Sequence, residues 1–248
     1  MIPYIQLTIP TYGIMVALGV FFTLCLAYKR NELFNFSLKQ FSILAVANVI
    51  GVITGSKLLF LITKLPKLLT DFSWHNLGHL IITSGFVFYG GLIGTLIASY
   101  LCCRIMHIET KKVYNFLTPA FLLFHAFGRV GCFLGGCCYG IECNYGFAMA
   151  GTDERRFPVQ LLESALNIIL LCWILNKEKK KPKTFLLPYY LGIYAMYRFG
   201  LEFLRGDVLR GIWGPFSTSQ WISLCMMIVV AIYSVNQWIN RRMKYEEK

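Results

Sequence analysis

Apolar residues fall in long blocks along this chain, separated by short stretches rich in lysine, arginine, glycine and proline. A helix needs about 20 mostly apolar residues to cross the hydrocarbon core of a bilayer. Seven blocks approach that length, near residues 8–28, 41–63, 84–103, 113–135, 158–176, 185–204 and 217–239. The pattern predicts an all-α polytopic membrane protein of about seven transmembrane helices, organised as one domain over residues 1–248. Longer loops are expected near 136–157 and 205–217. The first block lacks a basic run before it and a small-residue cleavage site after it, so it is expected to stay as a helix and not be removed as a signal peptide.

Composition agrees with that pattern. The 248 residues are 56% hydrophobic and 15% charged, against about 45–50% apolar and 25% charged in soluble domains. A soluble domain is excluded. The net charge of +12 would suggest nucleic acid in a soluble protein, but here the basic residues sit between apolar blocks. Fifteen of the 24 lie in alternate connections: Lys29, Arg30 and Lys39; Arg104, Lys111 and Lys112; Lys177, Lys179, Lys180, Lys181 and Lys183; Arg241, Arg242, Lys244 and Lys248. The positive-inside rule assigns these to the cytoplasm. The N-terminus is then outside, the C-terminus is cytoplasmic, and both longer loops face outward. The lipid bilayer is the expected partner, with no nucleic acid.

Four charges fall inside predicted spans. Arg129 interrupts "HAFGRVGCFLGGCCYG", and Arg198, Glu202 and Arg205 lie in "YRFGLEFLRGD" at i, i+4, i+7, which places all three on one helix face. Each costs about 2.5–3.5 kcal/mol on insertion scales, so something must offset it. A structural ion-pair network would let Glu202 neutralise Arg198 or Arg205 and leave one or two arginines over. An anion site would use guanidinium groups to grip a phosphate, and at this depth a lipid phosphate is the nearest anion. Gly128, Gly131, Gly135, Gly136 and Gly140 would let backbone approach a ligand or a helix closely. "YGGLIG" at 89–94 reads equally well as helix packing through small residues.

These residues resemble the signature of the bacterial prolipoprotein diacylglyceryl transferases, G-R-x-G-N-F-x-N-x-E-x-x-G. Gly128, Arg129, Gly131, Phe133 and Gly140 match in register. Other pieces follow in order: "YGIMVALG" from Tyr12, "FYGGLIG" for "HGGLIG", "FPVQLLES" for "HPSQLYE", "RFGLEFLR" for R-x-x-x-E-F-x-R, and "STSQWIS" for S-x-x-Q-x-x-S. The resemblance covers nearly the whole chain. It implies transfer of a diacylglyceryl group from phosphatidylglycerol to the lipobox cysteine thiol of a preprolipoprotein, carried by its signal peptide, at the outer leaflet of the bacterial plasma membrane, with glycerol phosphate leaving. No cofactor and no metal is implied. Arg129 and Arg198 correspond to essential arginines, Glu202 and Arg205 to a supporting pair, and Tyr12, Gly90, Gly91 and Gln160 to further substrate-binding positions.

Several signature positions differ. The first Asn is Cys132, the second is Gly135, and the Glu is Cys137; the "HGGLIG" histidine is Tyr89, and "HPSQLYE" has lost its His to Phe157 and its Tyr to Leu162. The base is therefore open. His125 lies one turn before Arg129, and Tyr89, Glu142, His75 and His79 are further candidates. Tyr89 is a poor base with an unperturbed pKa of about 10. An arginine field that lowers the acceptor thiol's pKa would remove the need for one. Cys132, Cys137, Cys138 and Cys143 cluster near the outer face without a C-x-x-C pair. They read as small residues at a tight turn or as a disulfide from Cys143 to Cys137 or Cys138. Two classes of function follow. One is a lipid transferase, acting on lipoprotein cysteine or on another acceptor. The other is a membrane thiol protein for redox exchange or metal handling that uses the Cys132–Cys143 cluster.

Overall fold

The computed structural model describes residues 11–70, 88–148, 154–207 and 211–246. The candidate bases His75 and His79 lie outside these residues. The order of elements is α1 (Thr11–Phe34), α2 (Leu38–Thr70), α3 (Phe88–Met106), α4 (Thr110–Leu134), β1 (Glu142–Ala148), β2 (Arg155–Arg156), α5 (Val159–Lys180), α6 (Leu187–Leu201), a 3-10 turn (Glu202–Leu204), β3 (Ile212–Trp213), β4 (Phe216–Ser217) and α7 (Thr218–Glu246). Among the described residues, every α-helix but α6 contains a stretch long and apolar enough to cross a membrane; α6 has 15 residues. The protein is a polytopic helical membrane protein. Two differences from the sequence reading concern the loops and the sixth span. The segments read as loops carry two small antiparallel sheets, β1–β2 and β3–β4. The sixth helix stops at Leu201, and Arg205 is in extended backbone at φ −83, ψ 137. Arg205 therefore does not continue the helical face of Arg198 as its spacing suggested.

The chain divides into two compact units, Lys29–Phe116 and the remainder. In the unit Lys29–Phe116, α2 and α3 pack backbone to backbone. A Cβ on Gly51 would lie 2.6 Å from the Gly94 carbonyl oxygen, and Gly55 and Gly90 are in still closer mutual contact. With lipid tails as apolar as leucine, such contact replaces a hydrophobic driving force between helices. Ser99 adds a hydroxyl hydrogen bond to Asn48 Oδ1 at 2.9 Å. The first turn of α2 is closed by a capping box, in which the Gln40 amide donates to Ser37 Oγ and the Ser37 amide to Gln40 Oε1. Arg30 is buried, donates to the carbonyls of Phe116 and Asn115, and lies over the Phe34 ring. An arginine counted above for orientation thus also ties two helix ends together.

In the other unit, α5 buries a polar face. Gln160, Glu163, Ser164 and Asn167 sit at i, i+3, i+4 and i+7, and all four are buried. The faces turned outward are apolar, as on α7, where Ile228, Val229, Ile232 and Val235 are exposed. This inverts the soluble pattern, as expected where the surrounding medium is lipid. Ser164 donates to the Ala126 carbonyl at 2.9 Å and fastens α5 to α4. Tyr197 donates to Asn167 Oδ1 at 2.8 Å and fastens α6 to α5. The "STSQ" piece is a second capping box: the Gln220 amide donates to Ser217 Oγ and the Ser217 amide to Gln220 Oε1, starting α7.

A strap of extended chain gathers the ends of α4, α5 and α6. The Gly140 amide donates to the Phe157 carbonyl at 3.0 Å, the Ile141 amide to Leu204 at 2.9 Å, and the Gly206 amide to Tyr139 at 3.0 Å. A side chain at Gly140 would lie 2.5 Å from the Phe157 carbonyl and 2.9 Å from that of Leu204. Only glycine fits between the two flanking strands of chain.

Candidate active site

Glu163 is the hub of the buried charges. It is 2% exposed. Its Oε1 lies 3.0 Å from Arg129 Nε and 3.5 Å from His125 Nε2, and accepts from the Tyr194 hydroxyl at 3.4 Å. Its Oε2 lies 3.7 Å from Arg198 Nη1. Arg198 reaches Glu202 at 2.7 Å and donates to Ser219 Oγ at 3.2 Å. Arg205 faces Glu202 at 3.8 Å and grips Asp207 bidentately, with Nε donating at 2.8 Å.

Arg129, Arg198 and Arg205 thus meet Glu163, Glu202 and Asp207, three charges of each sign. This corrects the expectation that arginines would be left over. Glu163 stands in "FPVQLLES" and was missed as a site residue. Its signal was the polar i, i+3, i+4, i+7 stripe inside an apolar span. A buried ion pair needs its remaining hydrogen-bonding groups satisfied, and here Arg129 keeps donors in reserve. Arg129 engages Glu163 through Nε, and its two terminal nitrogens have no hydrogen-bond or ion-pair partner among the described residues. His125, read as a candidate base, is buried against Glu163 with its ring edge-on to Tyr194 at 5.2 Å.

The other expected residues divide between the two units. Tyr12 stacks onto α4: a Cβ on Gly131 would lie 3.1 Å from its ring. Gln160 donates to the Cys137 carbonyl at 2.7 Å, and its buried Oε1 has no hydrogen-bond partner among the described residues. Nothing lies within 4 Å of where a Cβ on Gly128 would sit. Tyr89, Gly90 and Gly91 belong to the unit Lys29–Phe116, where Gly90 packs on Gly55 and a Cβ on Gly91 would lie 2.8 Å from Ser56 Oγ. Glu142 is an exposed partner of Arg156 at 3.1 Å.

The cysteines gather at the end of α4 for a backbone reason. The Cys137 amide donates to the Cys132 carbonyl and the Gly136 amide to the Phe133 carbonyl, with Gly136 at φ 70. This is a Schellman motif, in which the third helical residue from the end and the second residue beyond it come together. Here those residues are Cys132 and Cys137. Cys138 follows at φ 58, and the three sulfurs lie within 4.8 Å of one another. Cys143 is not in the group, and no disulfide joins any of the nine cysteines. Hydrogen bonds from Cys132 and Cys137 hold the Cys138 thiol well below the usual thiol range, with Arg129 and Arg205 acting in the same sense. Cys137 is pushed up as the donor to its neighbours. The C-x4-C-C spacing was not recognised as a convergent set because the helix-end turn, and not a C-x-x-C loop, brings it together.

A buried arginine–carboxylate centre set among apolar helices, with the terminal nitrogens of Arg129 unpaired among the described residues, marks a polytopic membrane protein with a charged interior site. A model of the family described as prolipoprotein diacylglyceryl transferase matches residues 1–236. Similar proteins include the phosphatidylglycerol--prolipoprotein diacylglyceryl transferase of Clostridium tetani, 33% identical over 241 residues, covering 91% of each chain. The enzyme numbered 2 in Clostridium perfringens is 32% identical over 249 residues, covering 95% of this chain and 94% of that one. The Finegoldia magna enzyme is 28% identical over 241 residues, covering 96% and 94%. The chain belongs to the prolipoprotein diacylglyceryl transferase family.

Proposed function

We propose that this protein moves a diacylglyceryl group from phosphatidylglycerol to the lipobox cysteine thiol of a preprolipoprotein, in the plasma membrane of a bacterium. The orientation is N-terminus outside and C-terminus cytoplasmic, with α6 crossing as well to make seven spans and the arginine centre toward the outer leaflet. The observation that carries the reading is Arg129, held at Nε by Glu163 with both terminal nitrogens free of partners among the described residues. That fork has the shape and charge to bind two oxygens of one phosphate.

The chemistry follows from the charges. The acceptor sulfur attacks as thiolate, its proton having passed to water. Its lone pair forms the S–C bond to the glyceryl carbon, the C–O bond to phosphate breaks, and the electron pair leaves on glycerol phosphate. Negative charge builds on the leaving phosphate, where a preorganised cation acts most strongly. Arg129 supplies that cation. Arg198, which faces Glu163 and Glu202 and donates to Ser219, acts through the network that fixes Arg129. Arg205 and Glu202 close the network toward the strap. Gln160 Oε1 is an acceptor for a headgroup hydroxyl, and Tyr12, Gly128 and Gly131 shape the wall around Arg129. Tyr89, Gly90 and Gly91 correspond to positions of the family pattern, and His125 lies beside Glu163.

The test is complementation of a bacterium depleted of its own transferase, read as lipid mass on a lipoprotein. Wild type restores the diacylglyceryl mass and Arg129→Ala does not. An inserted wild-type protein that leaves the lipoprotein unmodified would overturn the acceptor assignment.

A further inference from the structure

Among the described residues the three clustered thiols make no hydrogen bond to the arginines, yet the fold goes to some expense to bring them together. Cys138 adopts a left-handed backbone, which costs a non-glycine residue about 1–2 kcal/mol. The Schellman turn pairs Cys132 with Cys137, and Gln160 holds the Cys137 carbonyl. The Gly140 strap anchors the chain two residues on. A cation of the zinc class bonds sulfur at about 2.3 Å, so sulfurs arranged tetrahedrally around it stand about 3.8 Å apart. The present sulfurs, all within 4.8 Å of one another, reach that spacing by small side-chain adjustments. A disulfide would use two of them and strand the third.

We propose that Cys132, Cys137 and Cys138 form a three-thiolate site for a thiophilic divalent cation of the zinc class, with its fourth position open to the acceptor thiol. The proposal rests on the transferase reading above. Three protein ligands with one open position is the arrangement of catalytic and not of closed structural zinc sites. Cys137 is exposed, and Cys132 and Cys138 are half-buried, so the cluster is accessible to an incoming thiol. Cys132 lies at i+3 from Arg129 on α4, which sets the cluster beside the free fork. An acceptor thiol that coordinates gives its proton to water and becomes a bound thiolate. Its lone pair then forms the S–C bond as the C–O bond to phosphate breaks. The cation stays divalent throughout, and the thioether product, a weaker ligand, departs. This answers the need for a base without assigning one.

The experiment uses the full chain purified in detergent without chelator and with reductant present. Metal analysis is expected to find about one zinc per chain. Cys132→Ser, Cys137→Ser and Cys138→Ser each lose it, while Cys143→Ser and Arg129→Ala keep it. Cobalt exchanged into wild type is expected to give thiolate charge-transfer absorbance in the near ultraviolet. That spectrum shifts when a lipobox peptide with cysteine is added and not with its serine analogue. Wild type that transfers lipid with reduced thiols and no metal overturns the metal site and leaves the transferase reading standing. A cobalt spectrum indifferent to the cysteine peptide overturns the open-position role. Wild type that holds zinc but never transfers lipid overturns the transferase reading and the acceptor role, and leaves the three-thiolate site in place.

Discussion

Glu163→Gln is the sharpest test of the arginine centre. The substitution keeps shape and removes one charge from a residue that faces Arg129 at 3.0 Å and Arg198 at 3.7 Å. At an effective dielectric near 20, these separations correspond to gross attractions of about 5.5 and 4.5 kcal/mol. Most of that is spent on desolvating the groups. Removing one partner from a buried pair costs about 3–5 kcal/mol because the other charge is left uncompensated. Glutamine still offers an oxygen to Arg129 Nε, so the lower end, about 3 kcal/mol, is expected, or roughly 10²-fold in the folding equilibrium. Transfer should fall by about 10²-fold as well, the usual consequence of loosening a positioned catalytic group. The assay pairs an unfolding midpoint in detergent with transfer from phosphatidylglycerol to a fluorescent lipobox peptide. The double variant Arg129→Gln with Glu163→Gln separates the two effects. It removes the orphaned charge, so stability should recover relative to Glu163→Gln alone while transfer stays lost. A Glu163→Gln protein that transfers at the wild-type rate, or a double variant no more stable than the single, would refute the hub role.

Three further outcomes are expected. Gly128→Leu should not lower the unfolding midpoint, because nothing lies within 4 Å of where its Cβ would sit, and should lower transfer by about 10-fold or more by filling space beside Arg129; peptide lipidation and melting measured on one preparation check both. Gly51→Ala should destabilise by about 1–3 kcal/mol, since its Cβ would press on the Gly94 carbonyl at 2.6 Å and on Ala98 at 2.9 Å, read as a lower unfolding midpoint. Ser217→Ala removes the cap of α7 and should cost about 1 kcal/mol, with transfer per folded molecule unchanged.

Helix positions were legible because a span is a one-dimensional property: length and apolarity fix it, and α1, α2, α3, α4, α5 and α7 each lie over a predicted block. The termination of α6 at Leu201 was hidden because "GLEFLRGD" carries no proline and its Gly206 comes only five residues later. What ends the helix is tertiary, the strap that pulls Leu204 and Gly206 into hydrogen bonds with Ile141 and Tyr139. Arg129, Arg198 and Glu202 could be found one at a time, since a charge in an apolar run stands out. Glu163 did not stand out because its neighbours Gln160, Ser164 and Asn167 make that turn of α5 look merely polar. Only the shared buried face turns four ordinary residues into a hub.

The cysteines show the opposite case, and they bear on mechanism. The family pattern has Asn and Glu where this chain has Cys132 and Cys137, and read as substitutions these look like losses of polar function. The Schellman turn gives them a common position: residues five apart across that turn touch, so two replacements five apart form one site with Cys138 as third member. The same turn begins at Cys132, three residues beyond Arg129 on α4. A centre that keeps the leaving-group cation and exchanges the groups near the acceptor thiol would retain donor chemistry while changing how the nucleophile is made. Chelation therefore gives a direct contrast. Stripping thiophilic metal from this protein should slow transfer while phosphatidylglycerol binding, carried by Arg129, is unchanged. Arg129→Ala should abolish lipid binding with metal content unchanged. If chelation and Arg129→Ala instead weaken lipid binding alike, the thiols and the arginine serve one function and the division between them is wrong.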